Sequence, residues 1–162
     1  MLIKILDTID VAPIIDEYAR LEPNMSWADY GFKGKQVGLQ HKINEDVWAS
    51  AVGRSSGDEF ASSILNPFFK NTVFEELINK YKLFKTRLMW LNPYACYSMH
   101  QDESPRIHIP LVTNSQCYFI FKAIPPYHLA INNVYLTDTT RPHSFMNCSE
   151  EPRLHLVGAV QT

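Results

Sequence analysis

The sequence predicts an α+β domain, mainly β, in which an N-terminal layer of helices and loops packs on a small β-barrel. Three observations carry this. Two stretches before residue 85 repeat apolar residues at helical spacing, and the chain turns from residue 86 to short runs rich in β-branched and aromatic residues. Pro and Asn punctuate those runs at intervals that suit antiparallel strands. At 162 residues the chain fits one domain, 1–162, with the helical and loop layer over 1–85 and the barrel over 86–162.

In residues 10–22, Pro13 falls where a first helical turn tolerates it, and Ile14, Ile15, Tyr18 and Leu21 follow on one face. An amphipathic helix is expected there. Residues 23–58 mix Trp27, Tyr30, Gly31, Gly34, Gly38 and Trp48 with polar clusters and keep no period, which predicts loops with one or two short strands. Thr72 followed by Glu75 makes a capping box, and Phe74, Leu77, Ile78 and Tyr81 continue it as a second helix with Lys80 and Lys82 at its end. Strands are then expected at 86–91, 106–112, 116–122, 134–137 and 153–160. Asn92-Pro93, Thr113-Asn114, Pro125-Pro126, Asn132-Asn133 and Arg141-Pro142 separate them.

Composition narrows the function. Fifteen basic against seventeen acidic residues, with no run of Lys or Arg, argue against a nucleic-acid backbone as the main partner. Acidic residues interrupt the first segment too early for a signal peptide, and no apolar run approaches a membrane span, so a soluble cytoplasmic protein is expected. Cys96, Cys117 and Cys148 are odd in number and lack zinc-knuckle spacing, which reads as reduced, mostly buried thiols.

The chemistry concentrates in His100-Gln101-Asp102, followed far downstream by Arg141-Pro142-His143. A His-x-Asp pair on an extended segment presents an imidazole and a carboxylate on one face. A third imidazole, His143, completes two histidines and one carboxylate, a facial set that suits non-haem Fe(II) and leaves positions open. Two strands, Arg106-Ile107-His108 and Arg153-Leu154-His155, each put Arg and His on one face and aliphatics on the other. If that face lines the interior, fixed positive charge stands beside the metal and a small dicarboxylate is its natural ligand.

In these residues the chain, from about Arg87 to its C-terminus, resembles the aspartyl/asparaginyl β-hydroxylase-like group of Fe(II)/2-oxoglutarate dioxygenases. The matching elements are His100-x-Asp102, Arg106-x-His108, His143, and Arg153 ten residues after that histidine. The resemblance implies a double-stranded β-helix of the cupin or jelly-roll kind, with iron on His100, Asp102 and His143. It also implies that Arg153 pairs with the distal carboxylate of 2-oxoglutarate and that Arg106 and His108 bind near the metal-chelating end. Asp102 departs from the best-known vertebrate members, which lack the carboxylate ligand. The implied reaction consumes dioxygen, releases succinate and CO2, and hydroxylates a peptidyl Asp, Asn or Pro or a free amino acid. The N-terminal loops would supply substrate contacts. A cupin-type isomerase or zinc hydrolase without 2-oxoglutarate, and a non-catalytic binding module, are the alternatives; monomer and homodimer stay open.

Outside the motif, His41 and His128 read as surface or packing residues and Asp138 as a turn former. His155 is expected to orient Arg153, while Tyr97 and Ser98 flank the metal motif. Trp27, Tyr30, Trp48 and Trp90 read as core or lid aromatics.

Overall fold

The computed structural model describes residues 1–54, 57–122 and 124–162. Its elements run β1 (Ile3–Thr8), α1 (Ala12–Leu21), β2 (Ala28–Asp29), β3 (Lys35–Gly38), β4 (Gln40–His41), β5 (Ile64–Leu65), α2 (Val73–Tyr81), β6 (Phe84–Leu91), β7 (Arg106–Val112), β8 (Cys117–Phe121), β9 (Asn133–Thr137), β10 (His143–Asn147) and β11 (Arg153–Ala159). Among the described residues no helix is long and apolar enough to cross a membrane.

A seven-stranded antiparallel sheet in the order β1-β9-β7-β11-β6-β3-β2 forms the major wall. The opposing wall is the β10-β8 pair, widened on one side by the 95–100 segment, which bridges β10 at Cys96 and His100, and on the other by Tyr127 against Phe119. Two facing walls of this kind make the expected mainly β, cupin-like fold.

The central strands of the major sheet, β6, β7 and β11, are buried on both faces, so their alternation divides two interiors instead of core from solvent. Ile107, Ile109, Leu111, Leu154, Leu156 and Leu88 pack against Ile14 of α1 and Phe74 and Ile78 of α2. On the other face Met89, Leu91, Tyr135 and Val157 meet Phe119, Phe121 and Phe145 from the smaller wall. Arg106, His108, Arg153 and His155 alternate with the first set and therefore point between the walls, where all four are buried.

Several local expectations need correction. Thr72 and Glu75 do not close a reciprocal box: the Thr72 hydroxyl donates to the Phe69 carbonyl, and Glu75 accepts from the backbone N–H of Asn71. Glu17 of α1 instead accepts from Val73 N–H at 2.9 Å, so one helix caps the other. Of the three free thiols only Cys117 is buried; Cys96 and Cys148 are exposed. β1 comes from the stretch expected to hold only helices and loops, and β10 adds a strand at His143–Asn147, whereas residues 23–58, expected as loops with one or two short strands, hold β2, β3 and β4. These are short or polar segments whose pairing partners, not their own periodicity, make them strands.

Candidate metal centre

The antiparallel bridge between His100 and His143 builds the site. Each residue's N–H donates to the other's carbonyl at 2.9 Å, which sets the two imidazoles side by side with ring centroids 4.3 Å apart. Both Nδ1 atoms are occupied locally, His100 by the Ser98 carbonyl at 2.8 Å and His143 by the Arg141 carbonyl at 3.0 Å. These contacts fix the tautomers with Nδ1–H donating, and Nε2 is left as a free lone pair in each ring. Asp102, anchored by its N–H on the Thr139 carbonyl, faces both: Oδ1 lies 3.9 Å from His100 Nε2 and Oδ2 lies 3.8 Å from His143 Nε2. One ligand atom from each residue falls within 4.8 Å of the others. Burial presses the His143 pKa down and keeps that ring neutral, as a ligand must be. Two imidazole nitrogens and one carboxylate gathered this way fit a facially bound Fe(II).

Arg106 stands behind this carboxylate. Its Nε lies 3.3 Å from Asp102 Oδ2, while its terminal nitrogens grip both oxygens of Glu59 at 2.7 and 3.0 Å and one also reaches the Ser104 hydroxyl at 2.6 Å. Glu59 is 2% exposed. Burial opposes its charge, yet the hydrogen bonds from Arg106 and Ser104 with the Arg106 charge hold its pKa below the ordinary value. The guanidinium that the resemblance assigns to cosubstrate is thus engaged by Glu59 on one side and by Asp102 on the other.

Arg153 presents the opposite case. Among the described residues it is the largest fully buried side chain, and its Nε and one terminal nitrogen have no hydrogen-bond partner there. Its guanidinium lies 4.9 Å from the centre of the Phe145 ring, and burial lowers its pKa to about 10. His155, one residue pair along the same face, also has Nε2 without a partner among the described residues. His155 Nδ1 meets His108 Nδ1 at 3.4 Å. Burial, then the Arg153 charge, drives both imidazoles well below their usual pKa, so one neutral ring donates from Nδ1 and the other accepts. Thr113, Cys117, Phe119 and Leu129 wall a narrow cleft beside Arg153 and His155.

The sequence model of the aspartyl/asparaginyl beta-hydroxylase family matches residues 14–161. The chain belongs to this family. No curated protein matches it. Among solved structures, an oxidoreductase of the 2OG-Fe(II) oxygenase family from Burkholderia pseudomallei superposes with a TM-score of 0.58 at 12% identity, covering 96% of this chain and 82% of that one. The DMSP lyase DddQ from Ruegeria pomeroyi DSS-3 gives 0.53 at 15% identity, over 97% of this chain and 69% of that one. The anti-sigma factor ChrR with SigE from Rhodobacter sphaeroides gives 0.48 at 13%, and the chain spans 57% of the length of that match.

In this member of the aspartyl/asparaginyl β-hydroxylase family, residues that the sequence did not single out stand beside the His100, Asp102 and His143 set. Glu59 and Ser104 hold Arg106, and Lys85 and Arg87 on β6 lie close enough for their charges to act on Asp102 and Arg106. A period-2 reading of Arg87, Met89 and Leu91 puts Arg87 on an apolar strand face, a signal available from sequence; Glu59 has no local signal. Of the remaining candidates, His41 and His128 bond to backbone carbonyls away from the triad, and Asp138 takes the Thr140 hydroxyl within its own turn. Trp27, Trp48 and Trp90 pack partly buried against the helical-side core, while Tyr30 is exposed at 37%.

Proposed function

We propose that this chain is an Fe(II)- and 2-oxoglutarate-dependent dioxygenase that hydroxylates an amino-acid side chain, in a peptide or as a free amino acid, with release of succinate and CO2. The observation that carries the reading is Arg153, a buried cation with free donors in the same interior as the His100, Asp102 and His143 set. A metal-dependent isomerase or hydrolase would use the triad alone and leave that cation without an anion.

His100, Asp102 and His143 would hold the iron, which with dioxygen and 2-oxoglutarate supplies the chemistry that converts C–H to C–OH. Arg153 would bind the distal carboxylate in a charge-assisted, two-pronged contact that lysine reproduces poorly. His108 and His155, held neutral, add hydrogen-bonding capacity without a competing charge. Arg106 keeps Asp102 turned to the histidines, so its role is positioning. Phe119 stacks parallel to the His143 ring at 5.4 Å and Phe145 covers Arg153, which keeps water from both.

An anaerobic titration of the apoprotein with Fe(II) and 2-oxoglutarate tests this. A visible charge-transfer band of a chelated 2-oxoacid, seen only with both additions, is the expected result. Tight metal binding without the band would sink the 2-oxoglutarate assignment.

A further inference from the structure

Strand β6 carries a bulge that turns an amine into the protein. Between Val157 and Ala159 β11 takes two steps, while β6 takes three, from Arg87 back to Phe84, so one extra residue is fitted into β6 at 85–86. Lys85 takes up the distortion with a left-handed backbone at φ 49°, which costs a residue that bears a side chain. Neighbouring segments hold it there. The Lys85 N–H donates to the Ser62 carbonyl at 2.8 Å, and the Thr86 N–H donates to Gln40 Oε1 at 3.1 Å. Bulges re-aim side chains, and the one re-aimed here belongs to Lys85.

This amine is nearly withdrawn from water. Lys85 is 5% exposed, and its Nζ donates to the Gly53 carbonyl at 3.1 Å. Among the described residues no carboxylate reaches it at ion-pair distance. The Arg87 and Arg106 guanidinium groups act on it most, followed by Glu59 and Asp102, and both of those carboxylates are committed to Arg106. Burial first, then the two guanidinium charges, lowers the Lys85 pKa to about 8. At pH 8 about half of the amine is therefore neutral, against less than about 1% of an ordinary lysine. A neutral, desolvated amine is a nucleophile.

The surroundings select the electrophile. So enclosed a nitrogen has little room for a bulky carbonyl compound, whereas carbon dioxide is three atoms in a line. The charge that results also matters. Arg87 and Arg106 repel an ammonium at this place and attract an anion. Arg87 is half-buried, and donates to the Ala51 carbonyl and to Met89 Sδ, which leaves donors of its five N–H groups for an anion. The two loop carbonyls that hold the cations, of Ala51 and Gly53, stand two residues apart, so amine and guanidinium share one side of the 46–54 loop.

We propose that Lys85 is a modification site whose ε-amine takes up carbon dioxide as a carbamate. The nitrogen lone pair forms the N–C bond, one C–O π pair moves onto oxygen, and one N–H bond breaks with its proton released to solvent. No oxidant or reductant is needed. The remaining N–H keeps the Gly53 carbonyl, and the new carboxylate faces Arg87. The charge beside Arg106 thereby changes from positive to negative, so carbon dioxide sets the field next to the His100, Asp102 and His143 set. Dissolved carbon dioxide suffices, which makes the site independent of the dioxygenase reading.

The test takes the whole chain, with its lysines 15N-labelled at Nζ, and equilibrates it with 13C-bicarbonate at pH 8 without added metal. The expected carbon spectrum shows one carbamate resonance split by 15N. Exposed Lys70 and Lys82 should contribute less than about a tenth as much, since almost all of their amines are protonated. Lys85→Arg keeps the positive charge but offers no amine, and should lose the resonance. No split resonance in the wild type, or one that persists in Lys85→Arg, overturns the proposal. Should Lys85→Arg not fold, Lys85→Met decides in the same way.

Discussion

Arg106 holds Asp102 from behind, with its Nε 3.3 Å from Oδ2, and is itself held by Glu59. The three residues form a chain of alternating charge that ends at the proposed metal. Replacing Glu59 with Gln leaves the Arg106 charge answered by Asp102 alone. The buried pair is then broken on one side, and a stability loss of about 3 kcal/mol is expected in urea titration. The freed guanidinium also draws Asp102 toward itself in competition with the metal, so Fe(II) affinity should drop by roughly 10–100-fold. Unchanged metal affinity in a folded Glu59→Gln protein would mean that Arg106 does not position Asp102.

His143 and Arg153 sit ten residues apart at opposite ends of a wall-to-wall connection, and the proposed roles separate cleanly. Removing the imidazole in His143→Ala takes away one of three ligands, so metal binding is lost and 2-oxoglutarate has nothing to chelate. Arg153→Ala should keep the metal and weaken 2-oxoglutarate by about 2–5 kcal/mol, as for truncating a buried charge partner. Calorimetric titration of each variant with Mn(II) and then 2-oxoglutarate reads the two effects independently. Equal loss of metal in both would refute the division.

His108 and His155 make the fold acid-sensitive. Both folded-state pKa values lie well below 6.5 because the rings are buried beside Arg153, whereas the unfolded chain takes up protons near 6.5. Below that point the unfolded state binds more protons, so stability must fall as pH falls. Each histidine contributes up to about 1.4 kcal/mol per pH unit until its folded pKa is reached. Glu59, with its pKa lowered, adds loss of the same sign at more acidic pH. Urea midpoints at pH 8, 7, 6 and 5 should be level at first and then decline; a flat series would mean that the two rings are charged or solvated.

Most of the architecture could be read from the chain because the long strands carry their burial in their own alternation. Ile107, Ile109, Leu154 and Leu156 announce one face, and the Arg and His between them announce the other. The His100, Asp102 and His143 set was equally legible, since a His-x-Asp pair and a downstream histidine need only one bridge to meet. Glu59 was not. It lies in a short 3-10 turn, forty-seven positions from the Arg106 it neutralises, and only the folded chain brings them together. β1 and β10 escaped for a related reason, because the partner strands supply the pairing that their composition does not suggest.

Gly38 offers a backbone test of how the 46–54 loop bears on the site. Its N–H donates to the Trp48 carbonyl at 2.8 Å, and it pairs across β3 and β6 with Arg87. A Cβ added here would stand 2.7 Å from the Trp48 carbonyl oxygen and 3.3 Å from Ala51 Cβ, so the loop must move away from the strand. That movement carries the Ala51 carbonyl off the Arg87 guanidinium. Gly38→Ala should therefore lower stability by about 1–3 kcal/mol, the usual range for forcing a methyl into a packed place. Because the triad is built on the His100–His143 bridge and not on this loop, metal affinity should stay within about twofold of wild type. Proteolysis with the metal present should cut the 46–54 stretch faster than in wild type. A variant that lost metal binding and loop protection together would show that the loop and the triad form one cooperative unit.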